Sequence, residues 1–339
     1  MQRIEEIYWL RAYGCLAVFS FHLLDHFNQR LDNLATDLAR IPTVLGTPIF
    51  IFISIFLFSM RYGRDIPPGF LGSRVKHVLV PYLVYGLAYS AAEFLRLRAE
   101  GAEDGLFETL REYLIYAGWH GYFLIIAAQF YAFYWLYGRL DLARWLPATS
   151  WLAIGSLVSM AWWGYWQWRS TLPPGYLHWI APLGWLYLFF LALVLVRHYH
   201  DRPESRPTWL VALARPRWLL ALVGLVLLLS LPGWLEYSSK EMWVVPLFLL
   251  FTLWVMGRLR GRPAPLLVRR LNEYSFGIYL AHPMFFNLVD VLDPGQRLPP
   301  GLYLLALVVV GLAGSIAWNR AANRLEWGGL LFGKRLRVA

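Results

Sequence analysis

The stretch YWLRAYGCLAVFSFHLLDHF, Tyr8 to Phe27, decides how the rest of the chain is read. Its apolar length suits a crossing of a bilayer core of ~30 Å, yet it carries Arg11, His22, Asp25 and His26. Ionisable groups at that depth are costly, and they face a protein interior or a water-filled cavity. Arg11 and His22 are eleven residues apart. At ~100° per residue that is three turns plus about 20°, which puts both on one helix face, ~16 Å apart along the axis. His26 follows His22 by one turn. One helix thus presents a fixed cation and, about half a bilayer away, an imidazole.

The surrounding composition extends this reading to the whole chain. Of 339 residues, 58% are hydrophobic and only 15% charged, against about 25% charged in a soluble domain. Long apolar runs recur from end to end, continuous rather than alternating, which points to helices and away from a β-barrel. The expected fold class is all-α integral membrane, one polytopic domain over residues 1–339. Ten spans are expected, at 8–27, 44–60, 76–95, 119–137, 148–168, 178–196, 216–232, 242–257, 272–290 and 301–319. The first lacks a cleavage pattern and reads as retained.

Charge gives the spans a direction. With the N-terminus placed in the cytoplasm, the inside segments hold 22 Lys and Arg and the outside loops 8, alternating with every loop. This is the positive-inside pattern, with both termini cytoplasmic, and it accounts for the net charge of +10 without nucleic acid. Arg11 then lies near the cytoplasmic face and His22 deeper. Cys15 is the single cysteine, so no intramolecular disulfide forms.

Four groups of residues carry chemistry. Arg11 and His22 come first: Arg11 is an interfacial anchor or a ligand contact, and His22 is a helix–helix hydrogen-bonder or a general base. Asp25, at i+3, either fixes the imidazole or belongs to the polar end of the span. Arg61, Arg64, Arg74 and Lys76, ahead of VPYLVYG, mark topology or bind the phosphates of a cytoplasmic nucleotide. Trp119, Tyr122 and Gln129, in a span near the outer face, form an interfacial belt or an aromatic–polar surface for a carbohydrate. His282 stands before Pro283 in the ninth span, bonding a freed carbonyl or serving a site. Glu93 is a rim residue or a buried acid. His198 and His200 sit in a basic loop without companions. No P-loop, G-x-G-x-x-G unit, G-x-S-x-G elbow or zinc cluster occurs.

Arg11 and His22 in the first of ten helices, with YSFGIYLAHP at Tyr274 to Pro283, resemble the integral-membrane acyltransferases of type 3. A closer likeness, to members of biofilm loci for β-1,6-linked poly-N-acetylglucosamine, covers nearly the whole chain. It rests on LRAYGCLAV, GTPIFIFIS, RVKHVLVPYLVYG, GWHGYFLIIAAQFY and LLFGKR. Arg11, His22, Arg74, Lys76, Glu93, Gln129 and His282 fall on matching positions, while Asp25 and His26 lie outside the shared pattern. The resemblance implies O-acylation of a polysaccharide from succinyl- or acetyl-coenzyme A, with no metal, in a bacterial plasma membrane and beside a polysaccharide synthase complex. A polysaccharide exporter and a scaffold for such a complex are the competing readings.

Overall fold

The computed structural model describes residues 4–63, 65–101, 105–169, 171–201 and 206–332. Among these residues it is helical and without strands. In chain order the α-helices are α1 Glu5–Asn28, α2 Leu34–Arg40, α3 Gly46–Tyr62, α4 Phe70–Ala99, α5 Leu106–Leu110, α6 Tyr122–Arg139, α7 Ala148–Gln167 and α8 Leu177–Ile180. They continue with α9 Leu186–Arg197, α10 Thr208–Leu213, α11 Pro216–Ser230, α12 Val244–Arg258, α13 Leu266–Leu292, α14 Pro300–Asn323 and α15 Gly328–Leu331. Nine of the ten expected spans each fall mainly on one α-helix, whereas 178–196 is broken at Ala181 between α8 and α9. Five segments are long and apolar enough to cross a membrane: Glu5–Asn28, Leu34–Tyr62, Phe70–Ala99, Leu266–Leu292 and Pro300–Asn323. Pro182–Arg197, Pro216–Ser230 and Val244–Arg258 are shorter apolar helices.

The chain divides into two compact units, Met1–Ile53 with Leu195–Arg324, and Ser54–Val194 with Leu325–Ala339. The first is built on α1, α13 and α14. Contacts between α1 and α13 rise together along both helices, so the two run parallel. Asn272 donates to the Tyr8 carbonyl at 2.8 Å, Cys15 lies 3.8 Å from the Ser275 carbonyl, and His26 pairs with Asp290. On α1 the contact positions 8, 15, 19, 22 and 26 step by seven, four, three and four, the spacing of a helix–helix seam. Phe19, Phe286, Ile278, Tyr303 and Leu307 fill its core.

Lipid tails are as apolar as these side chains, so burial alone does not hold membrane helices together; close packing and interhelical hydrogen bonds do. Both are present. Gly311 of α14 lets that helix lie against the rings of Phe286 and Phe19; a Cβ there would stand 2.4 Å from Phe286. Polar clasps close the two ends of the seam. At one end Glu5 accepts from Ala264 N at 2.8 Å and from Arg269, and buried Glu6 accepts from the Tyr199 hydroxyl at 2.8 Å. At the other, Arg30 pairs with Asp293 at 2.8 Å and lies 3.3 Å over the Tyr303 ring. Asp293 also accepts from the backbone N–H of Arg297 and Leu298, which shapes the turn into α14.

The second unit is packed largely through aromatic rings. Phe133 meets Phe189 at 4.6 Å between centroids, and Trp151 stacks on Phe190 at 5.4 Å. Gly155 of α7 admits the Phe190 ring, which would stand 2.6 Å from an added Cβ. Trp163 donates to the Gly184 carbonyl at 2.8 Å and Ser159 to that of Leu183 at 2.9 Å, fastening α7 to the segment ahead of α9.

Gly311→Ala is expected to destabilise the protein by about 1–3 kcal/mol, the cost of overpacking a filled contact. Thermal melting in detergent, with Gly301→Ala as an unobstructed control, measures it; equal melting of the two variants would contradict the close α13–α14 approach.

Candidate functional site

His22 and His282 meet on the α1–α13 seam, their ring centroids 5.2 Å apart. His282 is fully buried and lies against Phe19 at 5.7 Å and Phe286 at 5.4 Å. Its Nδ1 is 2.8 Å from the Ile278 carbonyl one turn back. A carbonyl only accepts, so Nδ1 carries the proton and, in the neutral ring, Nε2 holds the lone pair. The two imidazoles lie side by side on the seam, with Phe19 and Phe286 against His282 and Phe21 against His22 at 5.5 Å.

Acidic and basic groups surround this pair. Asp25 lies 3.6 Å from His22 Nδ1, beyond a direct hydrogen bond but within ion-pair range. The same carboxylate pairs with Arg40, whose guanidinium also sits over Phe21 at 5.5 Å. Lys240 and Arg40 lie close enough for their fields to reach His22. Lys240 is placed by the turn before α12, where buried Glu241 accepts from the backbone N–H of Ser238 at 2.7 Å and of Glu236 at 3.1 Å. Burial pushes the Glu241 carboxyl above its ordinary range, against those backbone donors.

His26 takes part as well. Its Nδ1 donates to Asp290 at 2.6 Å, and the other Asp290 oxygen accepts from the Tyr303 hydroxyl at 2.5 Å. Asp290, Tyr303, Arg30 and Arg40 were not foreseen. The signal available was the repetition of polar residues at helical spacing near the ends of two apolar spans, Asp25–His26–Arg30 and Asp290–Asp293.

Arg11 lies half-buried on α1, three turns from His22 as its spacing requires. The remaining expected residues belong to the second unit. Arg74 is half-buried, with its guanidinium 4.9 Å over Phe58 and 5.8 Å over Phe70, and it donates to Ser73 at 2.9 Å. Arg61 lies exposed over Tyr62 at 5.1 Å. Arg74 and Lys76 both lie on α4. Because α4 begins at Phe70, not at 76, the two residues lie ~200° apart around its axis, and Lys76 is exposed. Arg64 lies outside the described residues.

Glu93 places both oxygens on Arg96, at 2.7 and 2.9 Å, an ion pair within α4. Trp119 is buried between Tyr82 and Tyr89, each at 5.4 Å. Tyr122 is buried edge-on to Tyr176 and Trp179, each at 5.8 Å. The side-chain oxygen of Gln129 is buried without a hydrogen-bond partner among the described residues. His198, read as lacking companions, pairs with Asp201 at 2.7 Å.

Comparison with known proteins adds to this geometry. A family model described as an acyltransferase domain matches residues 4–320. A Bacillus subtilis protein whose assigned name is that of a membrane-bound acyltransferase, YfiQ, is 27% identical over 98% of this chain and 95% of its own length. A Staphylococcus aureus protein named as a poly-beta-1,6-N-acetyl-D-glucosamine export protein is 22% identical over 85% of this chain and 84% of its own. One of the same name from Staphylococcus epidermidis is 25% identical, over 83% and 81%. No solved structure matches.

At the Arg30 clasp, burial acts to raise the Asp293 carboxyl, but Arg30 and two backbone N–H groups outweigh it and hold the group below its ordinary range. A depressed folded value means that its stabilisation is present above the ordinary carboxylate range and is lost as pH falls through the depressed value. Arg30→Gln is expected to lower the melting temperature at neutral pH and to flatten the fall on the acid side. A variant that melts like the parent at every pH would show the clasp to be dispensable.

Proposed function

The chain belongs to the acyltransferase domain family across residues 4–320, and from that premise we propose that it transfers an acyl group from acyl-coenzyme A to a hydroxyl of a surface polysaccharide, with His22 as general base. The observation that carries this reading is the His22–His282 pair on the α1–α13 seam, flanked by Asp25 and Arg40. In the proposed step His22 takes the sugar hydroxyl's proton while the oxygen attacks the thioester carbonyl. The carbon–sulfur bond breaks, and the imidazolium returns the proton to the departing thiolate. Asp25 stands on the Nδ1 side, so Nε2 is the nitrogen assigned to the substrate. Transient acylation of His22 followed by transfer to the sugar uses the same placement.

Arg11 is assigned to the donor side. Arg74 and Arg61 are assigned to the coenzyme's phosphates, with Lys76 as a separate contact on another face of α4. Trp119, Tyr122 and Gln129 are assigned to the acceptor, with His282 beside the reacting hydroxyl. The acceptor proposed is β-1,6-linked poly-N-acetylglucosamine, in keeping with the names of the staphylococcal relatives. The proposed setting is a bacterial plasma membrane, with ten crossings, both termini cytoplasmic, and a polysaccharide synthase complex as partner. The parallel course of α1 and α13 supports this topology, since first and ninth spans then cross in the same direction. Of the two donors, succinyl-coenzyme A is favoured over acetyl-coenzyme A by the cations Arg40 and Lys240 near His22, which suit a free carboxylate. Polymer export is the second reading, and the staphylococcal names favour it.

Purified protein is incubated with short acceptor sugars and each acyl-coenzyme A, and the products are weighed by mass spectrometry. His22→Ala is expected to cost roughly a hundredfold or more in transfer at unchanged abundance; full acylation by that variant would sink the base assignment. Acceptors left unacylated by the parent, with polymer release lost in its absence, would favour export. Lys240→Gln is expected to lower kcat/KM for the succinyl donor roughly tenfold and to leave acetyl transfer unchanged. An equal loss for both donors would remove Lys240 from carboxylate recognition.

A further inference from the structure

A cavity of about 170 Å³ opens among the C-terminal ends of α9 and α12 and the short helix α10. One wall is apolar, with Leu195, Leu210, Leu253 and Met256; the other carries His198, Arg206 and Arg260. We propose that this cavity is a binding site for an anionic phospholipid, its phosphate held by Arg206 and Arg260 and the upper part of one acyl chain seated on the apolar wall.

The charges inside the cavity are unequally satisfied. His198 is paired with Asp201. The Tyr199 hydroxyl is spent on Glu6 of α1. Arg260 donates to the Tyr199 carbonyl and lies 5.0 Å over its ring, which leaves its charge without a carboxylate among the described residues. The Nε of Arg206 is buried with no hydrogen-bond partner among the described residues. A buried guanidinium N–H needs an acceptor, and two arginines lining one cavity favour an anion; phosphate meets both demands with charge-assisted bonds.

The apolar wall selects the kind of anion. A free phosphate leaves it bare, whereas a phospholipid covers both walls at once. The wall continues the apolar helices Pro182–Arg197 and Val244–Arg258, so an acyl chain reaches it without leaving a hydrophobic path. Arg197, Arg215, Arg217, Arg258 and Arg262 flank the cavity in sequence, and basic clusters at this level of a membrane protein draw anionic headgroups. The ligand also bears on the site described above. Tyr199 joins the cavity to Glu6, and Glu6 lies on the helix that carries Arg11 and His22.

The test uses the full chain in nanodiscs of phosphatidylcholine, alone or with phosphatidylglycerol. Lipid retention is read by native mass spectrometry and stability by thermal melting. The parent is expected to retain phosphatidylglycerol over phosphatidylcholine and to melt higher with it, as binding to the folded state requires. Arg206→Gln and Arg260→Gln are each expected to weaken retention roughly tenfold. Gly257→Leu supplies an independent block. An added Cβ at Gly257 meets only Ala214, at 3.9 Å, so the larger side chain enters the cavity without displacing backbone and is expected to abolish the preference. Equal retention of the two lipids by the parent would overturn the proposal. So would undiminished phosphatidylglycerol binding in Gly257→Leu, or displacement of the lipid by coenzyme A or inorganic phosphate at concentrations that leave phosphatidylcholine in place.

Discussion

The parallel packing of α1 on α13 is the constraint on which the rest of the first unit depends. In lipid a pair of apolar helices has little reason to choose one register over another, because hydrocarbon replaces hydrocarbon. Register is set by the few contacts that lipid cannot imitate: Asn272 on a backbone carbonyl, His26 on Asp290, and the Glu5 and Arg30 clasps at opposite ends. Interhelical hydrogen bonds in membranes contribute only about 0.6 kcal/mol each on average. Their effect here is cumulative and positional. Four of them along one seam leave a single alignment in which all are made, and in that alignment His22 stands opposite His282.

The same contacts explain why so many ionisable groups are tolerated within apolar spans. A lone charge at this depth is expensive, and it is carried when it is paired or serves a site. Asp290 is bonded on both oxygens, Asp293 takes Arg30 and two backbone donors, and Asp25 lies between Arg40 and His22. The pairing leaves the first unit with a graded interior. Its ends are tightly bonded and structural, while the middle, around His22 and His282, is walled by Phe19 and Phe286. The bonded ends thus fix the placement of the imidazole pair between them.

Expectation and structure part at particular side chains, some with distant partners and some with local ones. His26 falls outside the pattern shared with the acyltransferases of type 3, yet its bond to Asp290 helps define the register on which His22 depends. His198, in a basic loop, has Asp201 as a local companion and cationic company from Arg260, which comes from the turn after α12. Arg74 and Lys76 read as one cluster because they are adjacent in the chain; a helix that begins six residues earlier than expected sends them to different faces. Glu93, a candidate acid, is answered within its own helix by Arg96.

Much of this protein was legible from residue order. Long continuous apolar runs meant helices, and nine of the ten expected spans each lie mainly on one, 178–196 being broken at Ala181. The eleven-residue interval between Arg11 and His22 put both on one face, because helical pitch is a local property of the backbone. Partnership is not local. Which residue of α13 faces His22, which carboxylate bonds His26, and which cavity Arg206 enters all depend on how helices separated by hundreds of positions rotate and slide against each other. That choice is made by the summed packing of glycine notches, aromatic rings and a handful of polar clasps. No single stretch of sequence contains those terms, so the tertiary structure alone decided them.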